Sequence, residues 1–346
     1  MTGTSAIFDK STLEVVCQGL GFPEGPIAMP DGTILLVDIE KQCLTRVRPD
    51  GTKELVAKIA GGPNGAAMGP DGRVYICNNG GFAWIPMPLP GGQILTVGEM
   101  QAADYAGGSV QALDLATGRL ETIYTDCQIS TDMQGMGPRV PREVPLPSSL
   151  RGPDDLVFDS AGGMWIADFG KARPRDRDTT GIYYARTDGS YIREKIFPLE
   201  GPNGIALSPA GDRLYVSLTF RRQLLYWELD GPGSIRPNPA TIDGAHVLNA
   251  AMPGDLDSIK VDEQGNIYAL TILRQKSPFV NGGVTVVSPQ GEILEFFEIA
   301  LPGKFVPMPS NICWGGADLR TAYITCGASD MLLKVRTSIP GLKPQF

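Results

Sequence analysis

Short apolar segments recur along the chain behind the same kind of turn, each with polar residues at a fixed offset. The segments read TILLVD, RVYICN, GMWIAD, RLYVSL, NIYALT and TAYITC, alternating apolar with small or polar side chains at the two-residue period of a strand. Five follow a turn that ends in glycine: Pro30-Asp31-Gly32, Pro70-Asp71-Gly72, Ser160-Ala161-Gly162, Pro209-Ala210-Gly211 and Glu263-Gln264-Gly265. Glycine supplies the positive φ of a tight hairpin without a Cβ clash. A polar residue stands ahead of each turn. Glu24 lies eight positions before Gly32 and fourteen before Asp38. Asn64, Gly72 and Asn78 repeat that spacing, as do Asp154, Gly162 and Asp168; Asn203, Gly211 and Ser217; and Asp257, Gly265 and Thr271. The sixth copy, Asn311 to Cys326, reads as one residue longer.

A second hairpin follows the first in most copies, clearest in TRVRPDGTKELVA, VQALDLATGRLETIY, IYYARTDGSYIREKI and VTVVSPQGEILEFFEI. Two hairpins make a four-stranded unit, and a repeat of roughly 40–55 residues is the period of a propeller blade. Six copies predict an all-β chain, a six-bladed β-propeller in a single domain over residues 1–346. LEVVCQGL, ahead of the first copy, is expected to close the last blade as its outer strand. A closed ring suits four-stranded units better than a solenoid does. The lack of a long amphipathic helical segment argues against an α/β barrel.

The step from Asn64 to Asp154 is 90 residues, so an insertion at about 82–150 is expected, forming a lid or pocket wall. It is rich in Met, Pro and aromatics, with Phe82, Trp84, Met87, Met100, Tyr105, Met133 and Met136 as wall candidates. A flap packed on a blade or a neighbouring subunit is the alternative. The loop at 301–309 could complete the wall.

Composition narrows the chemistry. With 42% hydrophobic and 20% charged residues the chain can bury a large core, and 43 Gly with 29 Pro fit many short strands. A net charge of −8 without a basic stripe excludes a nucleic-acid surface and allows a cleft that concentrates cations. No apolar run could span a bilayer and no signal peptide is visible, so no membrane partner and a cytoplasmic location are expected. The six scattered cysteines read as buried free thiols. The single histidine, His246, excludes a multi-histidine zinc site and disfavours a Ser-His-Asp triad; a pocket role for it stays open.

In a propeller, a position at a fixed offset sits at one height in every blade. Glu24, Asn64, Asp154, Asn203, Asp257 and Asn311 are therefore expected to ring one mouth of the central channel. All six carry side-chain oxygens and three are carboxylic, an arrangement that repels itself unless a cation neutralises it. Oxygen ligands of this kind suit a hard divalent cation, Ca²⁺ first, with Zn²⁺, Mn²⁺ or Mg²⁺ as alternatives. Any one of the six could instead be turn chemistry. Asn64 and Asn311 read as structural or substrate-facing.

GFPEGP, GGPNGAAMGPDGRVYICNNGG, GPNGIALSPAGDRLYVS, DSIKVDEQGNIYAL and SNICWGGADLRTAYIT, in that order, resemble the SMP-30/gluconolactonase/LRE family. The resemblance spans about Gly21 to Thr325 and is weakest across residues 82–150. It implies a six-bladed propeller with one divalent cation at the channel mouth and lactonase activity, with phosphotriesterases as relatives. It also implies that Glu24 and Asn203 are metal ligands, and Asp257 a ligand and the catalytic carboxylate. The family's third repeat usually reads Asn-Asp where this chain has Asp154-Asp155, so Asp154 replaces an amide that binds metal or substrate.

The expectation is a metal-dependent hydrolase that opens a lactone or related ester. Asp257 acts as general base or nucleophile; Glu24, Asn203, Asp257 and Asp154 hold the ion; Asn64, Asn311, Trp84 and Phe82 face the substrate. The apolar insertion points to a substrate less polar than a sugar lactone, and oligomerisation is left open. The rival readings are a phosphotriesterase, a non-enzymatic propeller tied together by its ion, and a lyase or isomerase kept open by Asp154.

Overall fold

A computed structural model describes residues 6–89, 92–128, 147–241, 244–273, 281–301 and 307–346. Among the described residues, six blade sheets follow one another along the chain, antiparallel except for one parallel pairing of Gln128 with Arg193 in the third. Their innermost strands are Pro23–Ala28, Pro63–Met68, Pro153–Phe158, Pro202–Leu207, Asp255–Val261 and Pro309–Gly315. Each innermost strand touches the next, and the sixth touches the first, so the ring closes. This is the six-bladed propeller read from the repeat. The outer strand of blade 6 is Phe8–Gln18, paired antiparallel with Met331–Thr337, so both ends of the chain share one sheet.

The alternating segments explain why the blades stack. In blade 2, Val74 and Ile76 face blade 1 and pack with Leu35, Val37 and Leu44; Tyr75 and Cys77 face blade 3 and pack with Leu156, Phe158 and Ile166. Side chains of opposite parity leave opposite faces of a strand, and in a ring both faces are covered by neighbours. The same pattern puts Trp165 and Ala167 against Leu214 and Trp227, and Tyr268 and Leu270 against Ile312 and Ile324. Each fully buried aliphatic or Phe side chain stabilises by roughly 1.5–3 kcal/mol.

The five turn glycines take φ from 70° to 86°. The sixth copy corrects the expected spacing. Its turn places Leu319, eight residues after Asn311, at φ 50°, and Asn311 pairs with Thr325, fourteen residues on. The register therefore runs through Thr325 rather than Cys326, with Leu319 accepting a conformation that costs a Cβ-bearing residue about 1–2 kcal/mol. No glycine stands at the eighth position of this copy; the turn's glycine is Gly316, at its first position, with φ 79°.

Among the described residues, the part of the 82–150 insertion that leaves the blades is one hairpin, Phe82–Pro88 paired with Ile94–Gln101. The rest supplies the outer hairpin of blade 2 and two short outer strands of blade 3, Asp126–Gln128 and Pro147–Ser149. Met133, Met136 and residues 302–306 lie outside the described residues. At the opposite end of the channel the C-terminal segment crosses the blades. Leu342 donates to the Val261 carbonyl (3.0 Å), and Phe346 meets Phe158 edge-on at 6.0 Å. Among the described residues, no helix is long and apolar enough to cross a membrane.

Candidate metal centre and the ring around it

All six innermost strands lose register with their neighbour near their first residues, between Glu24/Ile27, Pro63/Ala66, Pro153/Asp155, Pro202/Ile205, Leu256/Ile259 and Pro309/Asn311. A bulge re-aims a side chain out of the regular pleat. Here it happens six times at one height, where the six polar residues stand. The glycines behind three of them serve close approach rather than turns. A Cβ on Gly25 would meet the Ala66 backbone nitrogen at 2.5 Å, on Gly65 the Asp154 carbonyl at 2.4 Å, and on Gly204 the Ile259 nitrogen at 2.2 Å. The Glu-Gly and Asn-Gly pairs thus let adjacent inner strands touch.

The polar ends of the second strands hold the loops ahead of the bulges. Asp38 accepts from Gly21 N (2.8 Å), Asn78 from Gly62 N (2.8 Å), and Asp168 from Gly152 N (2.7 Å). Ser217 spans two blades, taking Gly204 N (2.8 Å) and donating to the Asp257 carbonyl (2.8 Å).

Acids and amides alternate around the ring: Glu24, Asn64, Asp154, Asn203, Asp257, Asn311. Two of the amides donate to the acid of the following blade: Asn64 Nδ2 reaches Asp154 Oδ1 at 2.6 Å and Asn311 Nδ2 reaches Glu24 Oε2 at 2.8 Å. Asn203 faces Asp257 and favours its charged form. The amide Oδ1 of Asn311 is taken by Ile312 N (2.8 Å), whereas Asn203 Oδ1 is buried with no protein donor among the described residues. Five of the six residues are buried; Asp257 alone keeps partial exposure.

Burial raises Asp154 and Asp257 well above the usual carboxylate range, and it raises Glu24 too. Repulsion adds to it: Asp257 and Glu24 act on Asp154, Glu24 acts on Asp257, and Asp155 acts on all three. Amide bonds and backbone N–H groups offset only part of this on Glu24 and Asp257.

Three further groups belong to the site and carry no repeat signal. Asp155 follows Asp154 and forms a 2.7 Å ion pair with Lys260, three residues after Asp257, so the bond runs between the innermost strands of blades 3 and 5. Lys171, 1% exposed, sits in the loop after the second strand of blade 3, and Asp154 is the acid whose charge most favours its ammonium. Burial still pulls Lys171 down to about 7. Four carboxylates thus face two ammonium groups, a deficit of two positive charges.

Among the described residues, no three His, Cys, Asp or Glu side chains are drawn together as a ready-made cage. The alternation is the physical reason, since an amide separates each acid from the next. The donor chemistry nevertheless fits a hard divalent cation: carboxylate and amide oxygens, an orphaned Asn203 oxygen, and a charge deficit of two.

Phe82 and Trp84 are half-buried at the root of the inserted hairpin. Trp84 packs on Phe22 (5.4 Å) and Phe82 (5.8 Å), against the core between blades 1 and 2. Farther along, Leu89, Leu95 and Val97 join Met308 and Ala328, with Phe22 and Ile272 packed alongside. The hairpin therefore reaches from blade 2 to residues of blades 1, 5 and 6 at the end where the innermost strands begin. His246 is not in the pocket. It lies on an outer strand of blade 4, stacked on Tyr226 at 4.6 Å. All six cysteines are free.

Gluconolactonase of Zymomonas mobilis subsp. mobilis (strain ATCC 31821 / ZM4 / CP4) is 24% identical, over 97% of this chain and 84% of that protein. Lactonase drp35 of Staphylococcus aureus (strain MRSA252) is 27% identical, over 74% of this chain and 65% of that protein. The calcium-binding protein regucalcin of Agrobacterium tumefaciens str. C58 shares the fold with a TM-score of 0.66 and 16% identity, over 97% of this chain and 96% of that one. Residues 22–328 match the SMP-30/gluconolactonase/LRE-like region, and the chain belongs to that family.

Proposed function

We propose that the protein is a hydrolase that opens a lactone at the ring of alternating acids and amides, with one divalent cation held there. The observation that carries this reading is the pairing of an orphaned buried oxygen, Asn203 Oδ1, with Asp257, the one ring acid that keeps partial exposure as a residue. Gluconolactonase and lactonase relatives support the reaction class.

Glu24, Asn203, Asp257 and Asp154 would hold the ion, Ca²⁺ being favoured by their all-oxygen character. When bound, the ion polarises the ester carbonyl and stabilises negative charge on its oxygen. The remaining work falls to the chain. Asp257, partly exposed as a residue and with its carboxyl raised in basicity by burial and by Glu24, accepts the proton of the attacking water. The water oxygen bonds the carbonyl carbon, the ring C–O bond breaks, and the departing alkoxide is protonated. Asn64 and Asn311 hold Asp154 and Glu24 in place and border the substrate. Phe82 and Trp84 form the wall at the hairpin root, with the hairpin as a lid.

The test is a panel of lactones followed by proton release, with the protein stripped by chelator and reloaded with Ca²⁺. Hydrolysis should vanish on stripping and return on reloading, and Asp257→Asn should lower kcat by about 10²–10⁴-fold. Full activity of Asp257→Ala sinks the assignment. Turnover of a phosphotriester but of no lactone moves the chain to the other hydrolase class. A cation-dependent melting temperature without any hydrolysis leaves a binding propeller.

A further inference from the structure

Asn79 stands one residue past the second strand of blade 2, Val74–Asn78, and its backbone N–H donates to the Gly62 carbonyl at 2.8 Å. That places it beside Pro63 and Asn64, at the level of the ring. Its side chain is 1% exposed. Oδ1 accepts two bonds, from Gly81 N at 2.8 Å and from the Lys171 ammonium at 3.0 Å. Lys171 is itself anchored: it donates to the Gly81 carbonyl at 2.7 Å and lies 4.1 Å from the centre of the Phe82 ring.

These two donors decide which end of the amide is oxygen. Turning it over would set an NH₂ group against an ammonium and a backbone N–H. The NH₂ end is thereby fixed, and Nδ2 has no acceptor among the described residues. A buried, oriented and unmet donor in a well-packed protein calls for a partner. The neighbourhood is that of the reaction. Lys171 feels Asp154 more than any other acid, and Asp154 is the carboxylate that Asn64 bonds.

We propose that Asn79 is a substrate-binding residue whose Nδ2 donates to a hydroxyl oxygen of the lactone, with Lys171 as the positioning residue that keeps the amide turned that way. The inference rests on the lactonase reading and assigns Asn79 the part of telling a hydroxylated ring from a bare one. Phe82, a candidate for the wall, also packs its ring against the Lys171 ammonium.

The test compares wild type, Asn79→Asp and Lys171→Met on glucono-δ-lactone and on δ-valerolactone, a bare ring of the same size. Asn79→Asp keeps an acceptor for Lys171 and for Gly81 N but removes the donor. It should raise KM for the hydroxylated lactone by about 10-fold with kcat little changed. Both parameters for δ-valerolactone should stay within about twofold. Lys171→Met should also raise KM more for the hydroxylated lactone than for δ-valerolactone, because the freed amide can turn; any further loss common to both substrates would report its charge beside Asp154. Equal losses on both substrates, or no change on either, overturn the proposal. Calorimetric binding of gluconolactam separates this failure from that of the lactonase reading, because it needs no turnover. A wild type that binds the lactam about 10-fold more tightly than Asn79→Asp supports the Asn79 role even if no lactone is opened. Equal binding by the two, or no binding by wild type, overturns it.

Discussion

Removing divalent cations should make this protein less stable as the pH rises from 5.5 to 8, and restoring Ca²⁺ should cancel the fall. Glu24, Asp154 and Asp257 are all raised in the folded protein, first by burial and then by one another's charge. An acid whose folded pKa is raised contributes stability that is complete below its unfolded value and is lost as the pH climbs through the folded one. The window therefore opens near pH 4, the unfolded carboxylate value, and extends upward from there. A tenfold gain in a group's proton affinity on folding is worth about 1.4 kcal/mol. The three raised carboxylates together therefore cost on the order of a few kcal/mol by pH 8.

A cation bound at a thousand times its dissociation constant returns about 4 kcal/mol. For 346 residues, with an unfolding entropy of about 2.1 cal/mol/K per residue, that is a rise in Tm of about 5–6 °C. The assay is a melting curve with chelator and with Ca²⁺ at both pH values. The difference between the two isolates the ring from every other titrating group. It should be large at pH 8 and small at pH 5.5, where protons occupy the same oxygens. Equal Ca²⁺-induced shifts at the two pH values, or none at either, would refute a cation bound by these carboxylates.

Two other perturbations read the site's charge balance. Lys260→Met strips the partner from Asp155, which is 1% exposed, and should cost about 3–5 kcal/mol of stability in denaturant titration; adding Asp155→Asn should recover most of it. Asp154→Asn removes one carboxylate and should weaken Ca²⁺ binding by about 10-fold in calorimetry, whereas unchanged affinity would place Asp154 outside the ligand set.

The parts of this molecule that can be read in the chain are those that obey a local period. Strand alternation and turn glycines are set by neighbours a few residues away, so six blades, and the closing of the last by residues 8–18, follow from spacing alone. The ring follows too, because equal offset means equal height. What escapes are groups outside the register. Lys171 lies in a loop and owes its place to Asn79 and Gly81, some ninety residues away in the chain. The Asp155–Lys260 pair joins strands 105 positions apart. The sixth turn keeps the spacing but hides it, because the positive φ at the eighth position falls on a leucine, where composition gives no sign of it.

The order of the six ring residues carries more than their count. Three acids among six oxygen-bearing side chains suggest a cation; their strict alternation with amides makes three pairs across blade boundaries, two of them hydrogen-bonded and the third, Asn203 with Asp257, favouring the charged acid. Asp154 then ceases to be an anomaly of composition. An asparagine there would set two amides, Asn64 and its neighbour, against each other, and the third pair would lose its charge. With Asp154 the pair is complete, at the expense of one more buried negative charge. The fully buried Lys171 answers that charge from the hairpin root, and in doing so it also fixes the Asn79 amide. The exchange of an amide for an acid in blade 3 and the orientation of a donor in blade 2 are therefore linked through one ammonium group. A relative with the amide in blade 3 would leave that lysine only Asp168 and Asp178 to favour its charge.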